Sequence, residues 1–82
     1  MYRIVTEFKN VDVVKSTLRG LGLDYTLYAG EGSWRGQPES SLVIELNNIN
    51  RALAVRVARS IKQINNQEAV ILQEVPLSSQ LI

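Results

Sequence analysis

Apolar side chains recur along the first part of the chain with two different periods. Over residues 2–8, β-branched and aromatic residues alternate with polar ones, which is typical of a β-strand. Over residues 11–21, apolar residues recur at intervals of three and four, which predicts an amphipathic helix that Asn10 caps. Gly20 and Gly22 bracket its end, and Gly22 suits the left-handed conformation that closes helices.

The same two periods return further along. Alternation predicts strands at residues 23–29, 41–46 and 69–75, the last of which Pro76 stops. A period of three and four over residues 50–64 predicts a second helix. Its predicted apolar face consists of Leu53, Ala54, Val57, Ala58, Ile61 and Ile64.

The segment between the second and third strands reads AGEGSWRGQPESS, residues 29–41. Because glycine and proline interrupt both helices and strands, Gly30, Gly32, Gly36 and Pro38 predict a loop here.

The predicted elements follow the order β-α-β-β-α-β over a single domain of residues 1–82, with residues 76–82 as a short C-terminal tail. Two split βαβ units with right-handed crossovers form an antiparallel sheet with both helices on one face. The fold class that we expect is therefore α+β and ferredoxin-like.

Strands one, three and four carry apolar side chains on both faces. Two helices can cover only one face of a sheet, so Val5, Val43 and Ile71 would form an exposed apolar patch on a single copy. Packing of one sheet on another would cover this patch. We therefore expect a homo-oligomer with these three residues in its interface.

Composition narrows the chemistry. The net charge of +1 argues against general nucleic-acid binding, which relies on a clear basic excess. The chain has no Cys and no His, so it offers no disulfide, no zinc ligand of these types and no imidazole base for Ser33, Ser40 or Ser41. We expect no catalytic residues, no metal and no cofactor, and hence a protein that is not an enzyme.

Apolar runs are much shorter than a membrane span, and the N-terminal segment is charged where a signal peptide is apolar. We therefore expect a cytoplasmic protein that does not interact with membranes.

The predicted loop is the first candidate ligand site. Gly30 and Gly32 allow the backbone to approach a ligand, and successive N–H groups in such turns bind anions. Trp34 offers a stacking face for a base, and Arg35 a guanidinium for phosphate or carboxylate. The alternative for Trp34 is packing on the sheet or on a neighbouring subunit. The predicted ligand-binding residues here are Gly30, Gly32, Ser33, Trp34, Arg35 and Gly36.

The turn NNQE supplies the other predicted ligand-binding residues, which are Asn65, Asn66, Gln67 and Glu68. Amide side chains present a donor and an acceptor together and can read a base edge. The alternative is an ordinary polar helix end. The second helix carries four cations, Arg51, Arg56, Arg59 and Lys62. They are predicted to form a solvated face in preference to the alternative, an anion site, and the helix dipole also favours Arg59 and Lys62.

The chain resembles the PII signalling proteins over its whole length. The element order matches theirs, and Gly30, Gly32 and Gly36 have the spacing that PII proteins show at the base of their long loop. The resemblance implies a trimer that binds nucleotides or small anions in clefts between subunits, with Gly30, Gly32 and Arg35 facing the cleft. The NNQE turn stands in the place of the second nucleotide loop, without the glycines and the basic residue of that loop.

The strings EGSWRGQPESSLVIE and INNQEAV also resemble small uncharacterised bacteriophage proteins. That resemblance implies a setting, the cytoplasm of a bacterial host.

Two functions follow as hypotheses. One is a non-enzymatic oligomer that binds a small anionic ligand, most simply a nucleotide, and sequesters a host defence signal. The other is an interaction module or inhibitor in which Trp34 anchors a host protein.

Overall fold

A computed structural model describes residues 1–76, with Trp34 described by its backbone alone. The predicted tail therefore lies outside the described residues, apart from Pro76. The elements are β1 (Tyr2–Glu7), α1 (Val11–Gly20), β2 (Tyr25–Trp34), β3 (Gln37–Leu46), α2 (Arg51–Ile64) and β4 (Ile71–Glu74).

The four strands form one antiparallel sheet in the order β2-β3-β1-β4. With its two helices, the chain has the predicted α+β architecture and is compatible with a ferredoxin-like fold. β1 lies inside the sheet and pairs with β3 on one side and β4 on the other.

The core lies between one face of the sheet and both helices. Side chains with the strand period of two meet side chains with the helix period of three and four, so each element buries one side. The fully buried members are Ile4, Leu42, Ile44 and Leu46 from the sheet and Val14, Leu18, Ala54, Val57 and Ile61 from the helices. The apolar face predicted for α2 is confirmed, with Leu53 and Ile64 at its half-buried margins.

The predicted loop is wrong. β2 and β3 continue through this segment as an uninterrupted ladder and are joined by a two-residue turn, Arg35 and Gly36. Both turn residues have positive φ angles, 52° and 76°, which give the turn the twist that matches paired strands. The described backbone of Gly30 and Gly32 is extended strand.

Pro38 is tolerated in β3 because of its position in the hairpin. Trp34 and Gln37 form the pair that closes the turn, so the next pair directs its backbone nitrogens outward. The nitrogen of Pro38 therefore faces away from β2, where no ladder hydrogen bond is lost.

The side-chain cap expected from Asn10 at the start of α1 is absent. The φ of Asn10 is 54°, and its side-chain amide instead donates to the carbonyl of Ile64 at 3.3 Å and to Oδ1 of Asn65 at 3.1 Å. Asn10 therefore links the start of α1 to the end of α2. In α2 the cap is made by Asn50, whose Oδ1 accepts a hydrogen bond from the backbone N–H of Leu53 at 2.8 Å.

Both helices end in the same way. After α1, Gly22 has a φ of 68°, its N–H donates to Arg19, and the next N–H donates to the carbonyl of Leu18. This pattern confirms the role predicted for Gly22. After α2 the corresponding left-handed residue is Asn66, with a φ of 50°.

Replacing Gly22 by Ala is expected to lower the free energy of unfolding by about 1 kcal/mol, because a Cβ disfavours the left-handed conformation. Gly20 is the matched control: it is helical and has open space around it. Gly20→Ala is expected to raise stability by about 0.5 kcal/mol. Urea denaturation of the two variants checks both signs, and a loss of stability in both would contradict this account of the helix end.

Candidate functional site

The hairpin formed by β2 and β3 extends past the rest of the sheet. The last residue of β1 that pairs with β3 is Glu7, opposite Ser41. Beyond that pair, residues 31–40, here called the hairpin arm, pair only with each other among the described strands. The described side chains of the arm are exposed throughout.

The predicted loop residues thus lie in a two-stranded ladder and its turn. Ser33, Arg35 and Gly36 lie at the outer end of the arm. The side chain of Trp34 is not among the described ones, so the roles predicted for it stay predictions. Gly30, at the base of the arm, has a packing role: a Cβ there would meet Cγ2 of Val43 at 3.2 Å. A Cβ at Gly32 would meet nothing within 4 Å.

Four polar side chains from distant parts of the chain meet below the NNQE turn. They are Thr6, Asn10, Asn65 and Gln67, here called the polar cluster. Asn65 Nδ2 donates to Thr6 Oγ1 at 3.0 Å and to Gln67 Oε1 at 3.1 Å, and Thr6 Oγ1 donates to the same Gln67 oxygen. The amide of Asn10 completes the cluster by donating to Asn65 Oδ1. Each buried polar atom of the described side chains has a hydrogen-bond partner.

The polar cluster divides the NNQE turn into two kinds of residue. Asn65 is 1% exposed, and both ends of its amide are engaged within the chain. Gln67 is half-buried, and its Nε2 donates to the carbonyl of Ala69. Asn66 and Glu68 are exposed. The direct contact to a ligand predicted for all four residues stays a prediction, and the exposed pair has the free surface that such contact needs.

The same cluster explains why β4 begins later than predicted. β4 was expected from residue 69, but its pairing with β1 starts at Ile71, opposite Val5. Gln67 lies between the end of β1 and the chain that leads into β4, bonded to Thr6 on one side and to Ala69 on the other. A side chain therefore takes the place of two further ladder pairs.

A cleft of about 270 Å³ lies where β1 ends. It brings the base of the arm to the NNQE turn, since Glu39, Ser40 and Gln67 all line it. None of the described residues between 30 and 36 lines it. Two carboxylates, Glu7 and Glu39, face the cleft, so its electrostatics disfavour an anion.

A groove of about 300 Å³ lies at the end of α2 and was not predicted. Its lining is Arg59, Lys62, Gln63, Asn66 and Gln67, and we call it the α2 groove. Next to it lies a depression of about 220 Å³ that shares Arg59 and Lys62 and is otherwise lined mainly by apolar residues. The sequence signal was an exposed helix face with cations and no acidic residue, which had been interpreted as a solvated surface.

The sheet face opposite the helices, here called the open face, carries the predicted apolar patch. Val5 lies between Val43 on β3 and Ile71 on β4 in register, so the three side chains are neighbours. Ile71 is 55% exposed, but Val43 is only 8% exposed, so the exposure expected for Val43 is wrong. Its neighbours in register, Val5 on β1 and Tyr28 on β2, flank it on both sides. The placement of the three residues in one row is thus observed, and self-association through them stays a prediction.

A charged group adjoins this row on the open face. Arg3 and Glu45 lie opposite each other and form an ion pair at 2.9 Å, and the hydroxyl of Tyr28 donates to the same carboxylate oxygen at 3.1 Å. The hydrogen bond to Glu45 raises the pKa of the Arg3 guanidinium. The charges on this part of the face are therefore neutralised within the chain.

Within residues 1–76, no group of three or more His, Cys, Asp or Glu side chains is arranged to hold a metal ion. The helices formed by the described residues lack the length and the apolar run needed to cross a bilayer. No protein-family model and no curated protein matches the sequence.

Replacing Asn65 by Ala is expected to lower the free energy of unfolding by about 2 kcal/mol, because it leaves buried donors and acceptors of its neighbours unpaired. Gln63→Ala, at an exposed position two residues earlier, is the matched control and is expected to change stability by less than about 0.5 kcal/mol. Thermal and urea denaturation measure both. Equal stability of the two variants would contradict the structural role of the polar cluster.

Proposed function

We propose that this protein is a ferredoxin-like homo-oligomer, with a trimer favoured, that binds a small anionic ligand without transforming it. The ligand class is a nucleotide, held in clefts between copies of the chain. In the bacteriophage setting implied by the sequence resemblance, the protein sequesters a host defence signal in the bacterial cytoplasm.

The observation that carries the ligand part of this proposal is Arg35 at the end of the hairpin arm. The first position of a two-residue hairpin turn favours Asn or Gly because its φ is positive. An arginine held there at a φ of 52° carries a conformational cost of about 1 kcal/mol relative to those residues. Arg35, whose guanidinium suits a phosphate group, lies in the turn that ends the hairpin arm.

The need for a second copy is supported by the same geometry. Asn66 lines the α2 groove and Glu68 lines the depression beside it, and Arg35 lines neither of these nor the cleft at the end of β1. The arm extends past its own sheet, so a second copy of the chain could contact its described surface. The open face, with its apolar row, is the surface through which we expect the two copies to associate.

Isothermal titration with a panel of mono-, di- and cyclic nucleotides tests the ligand class. We expect at least one to bind, and we expect Arg35→Asn to weaken that binding by about tenfold through loss of charged hydrogen bonds. The variant should be at least as stable as the parent, because Asn suits the turn. Arg19→Asn, at an exposed position in α1, is the control.

Absence of binding by the parent to every nucleotide would overturn the ligand part of the proposal. Capture of a host protein that Trp34→Ala abolishes, together with absence of nucleotide binding, would favour the interaction module instead.

Light scattering tests the assembly. We expect a mass of more than one chain at micromolar concentration and dissociation by Ile71→Lys, which places a charge in the apolar row. Val13→Lys is the matched control, since Val13 on α1 is 51% exposed against 55% for Ile71. A mass of one chain for the parent, or equal dissociation by the two variants, would contradict assembly through the open face.

A further inference from the structure

α2 carries charge of one sign. Its fourteen residues include four cations, Arg51, Arg56, Arg59 and Lys62, and no acidic residue, although the chain as a whole has a net charge of only +1. Among the described residues, Arg56, Arg59 and Lys62 form no ion pair.

Arg59 and Lys62 are the two of these cations that line a cavity. They stand three residues apart, so their side chains start on neighbouring positions of the helix surface, about 5–6 Å apart, and can reach one group. Gln63 and Asn66, both exposed, line the same α2 groove and add amide donors. A guanidinium fork, an ammonium and amide donors together match the several oxygens of a phosphate.

The end of a helix normally repels anions because its last carbonyls point outward. Here the N–H groups of Asn65, Asn66 and Gln67 donate to the carbonyls of Ile61, Gln63 and Lys62. The left-handed conformation of Asn66 makes this closure possible. Three carbonyls in the last turn of α2 are therefore already hydrogen-bonded.

The depression beside the α2 groove supplies the second half of a site. It shares Arg59 and Lys62 and is lined by Val55, Ala58 and Leu72. Glu68 lies on this side as well, so its carboxylate disfavours a negative group there. The two cavities together fit a ligand with one charged end, toward Gln63 and Asn66, and one less polar end.

We propose that the α2 groove holds the phosphate of a nucleoside monophosphate and that the adjoining depression holds its base or sugar. This assignment rests on the proposed function, in which Arg35 of a second copy completes the site. It names the residues of the first copy that would hold the charge of the ligand: Arg59 and Lys62, with amide donors from Gln63 and Asn66. The acidic cleft at the end of β1 is unsuited to that role, since Glu7 and Glu39 face it.

The test compares two double variants with the same net charge. Arg59→Gln/Lys62→Gln removes both groove cations, and Arg51→Gln/Arg56→Gln removes two cations of the same helix that do not line the groove. Isothermal titration at low salt uses inorganic phosphate, adenosine monophosphate and adenosine as probes. Circular dichroism melting establishes that both variants are folded.

We expect the parent to bind adenosine monophosphate more tightly than phosphate or adenosine. The groove variant should lose at least about tenfold in affinity for both phosphate-containing probes, and the control should remain within about twofold. Nucleotide binding that is unchanged in the groove variant, or weakened equally in the control, would overturn the assignment and leave the proposed function standing. Binding of phosphate but of no nucleotide would overturn both.

Discussion

The length of β1 limits the rest of the structure. This strand of six residues lies between β3 and β4. The sheet is four strands wide from Tyr2 to Val5 of β1, and it narrows to the β2–β3 hairpin after Glu7. β3 has ten residues and β2 has ten, and their outer halves continue where β1 no longer accompanies them. The arm and the cleft at its base are both results of this mismatch in strand length.

The polar cluster is what fills the space at the end of β1. Thr6 is almost fully buried, and its hydroxyl meets amides from the far end of α2 instead of water. Because such groups are costly to bury unpaired, their mutual hydrogen bonds fix the path of the chain from α2 into β4. The same path brings Asn66 and Glu68 to the surface beside the cations of α2. A structural need inside the fold thus sets the positions of the groups that are open to a ligand outside it.

Much of the fold could be predicted from the sequence because each helix and strand buries one periodic face, and periodicity is local information. The arm could not, because glycine and proline were treated as interruptions, whereas Pro38 directs its nitrogen outward and only Gly36 is needed for its positive φ. The polar cluster joins Asn10 to Asn65 and Thr6 to Gln67, which are separated by 55 and 61 positions in the chain. No local sequence pattern can predict contacts over such separations. The α2 groove was missed for a different reason: spacing places Arg59 and Lys62 on one side of a helix but does not reveal the cavity beside them.

Pro38 has a further consequence for how copies of this chain can meet. The inner edge of the arm, in line with β1, has main-chain groups that could pair with a strand of another copy. Open strand edges of this kind promote growth into fibres. A proline whose nitrogen faces that edge withholds one of its hydrogen-bond donors, leaving Ser40 as the neighbouring one. Pairing of two copies along this edge is therefore disfavoured.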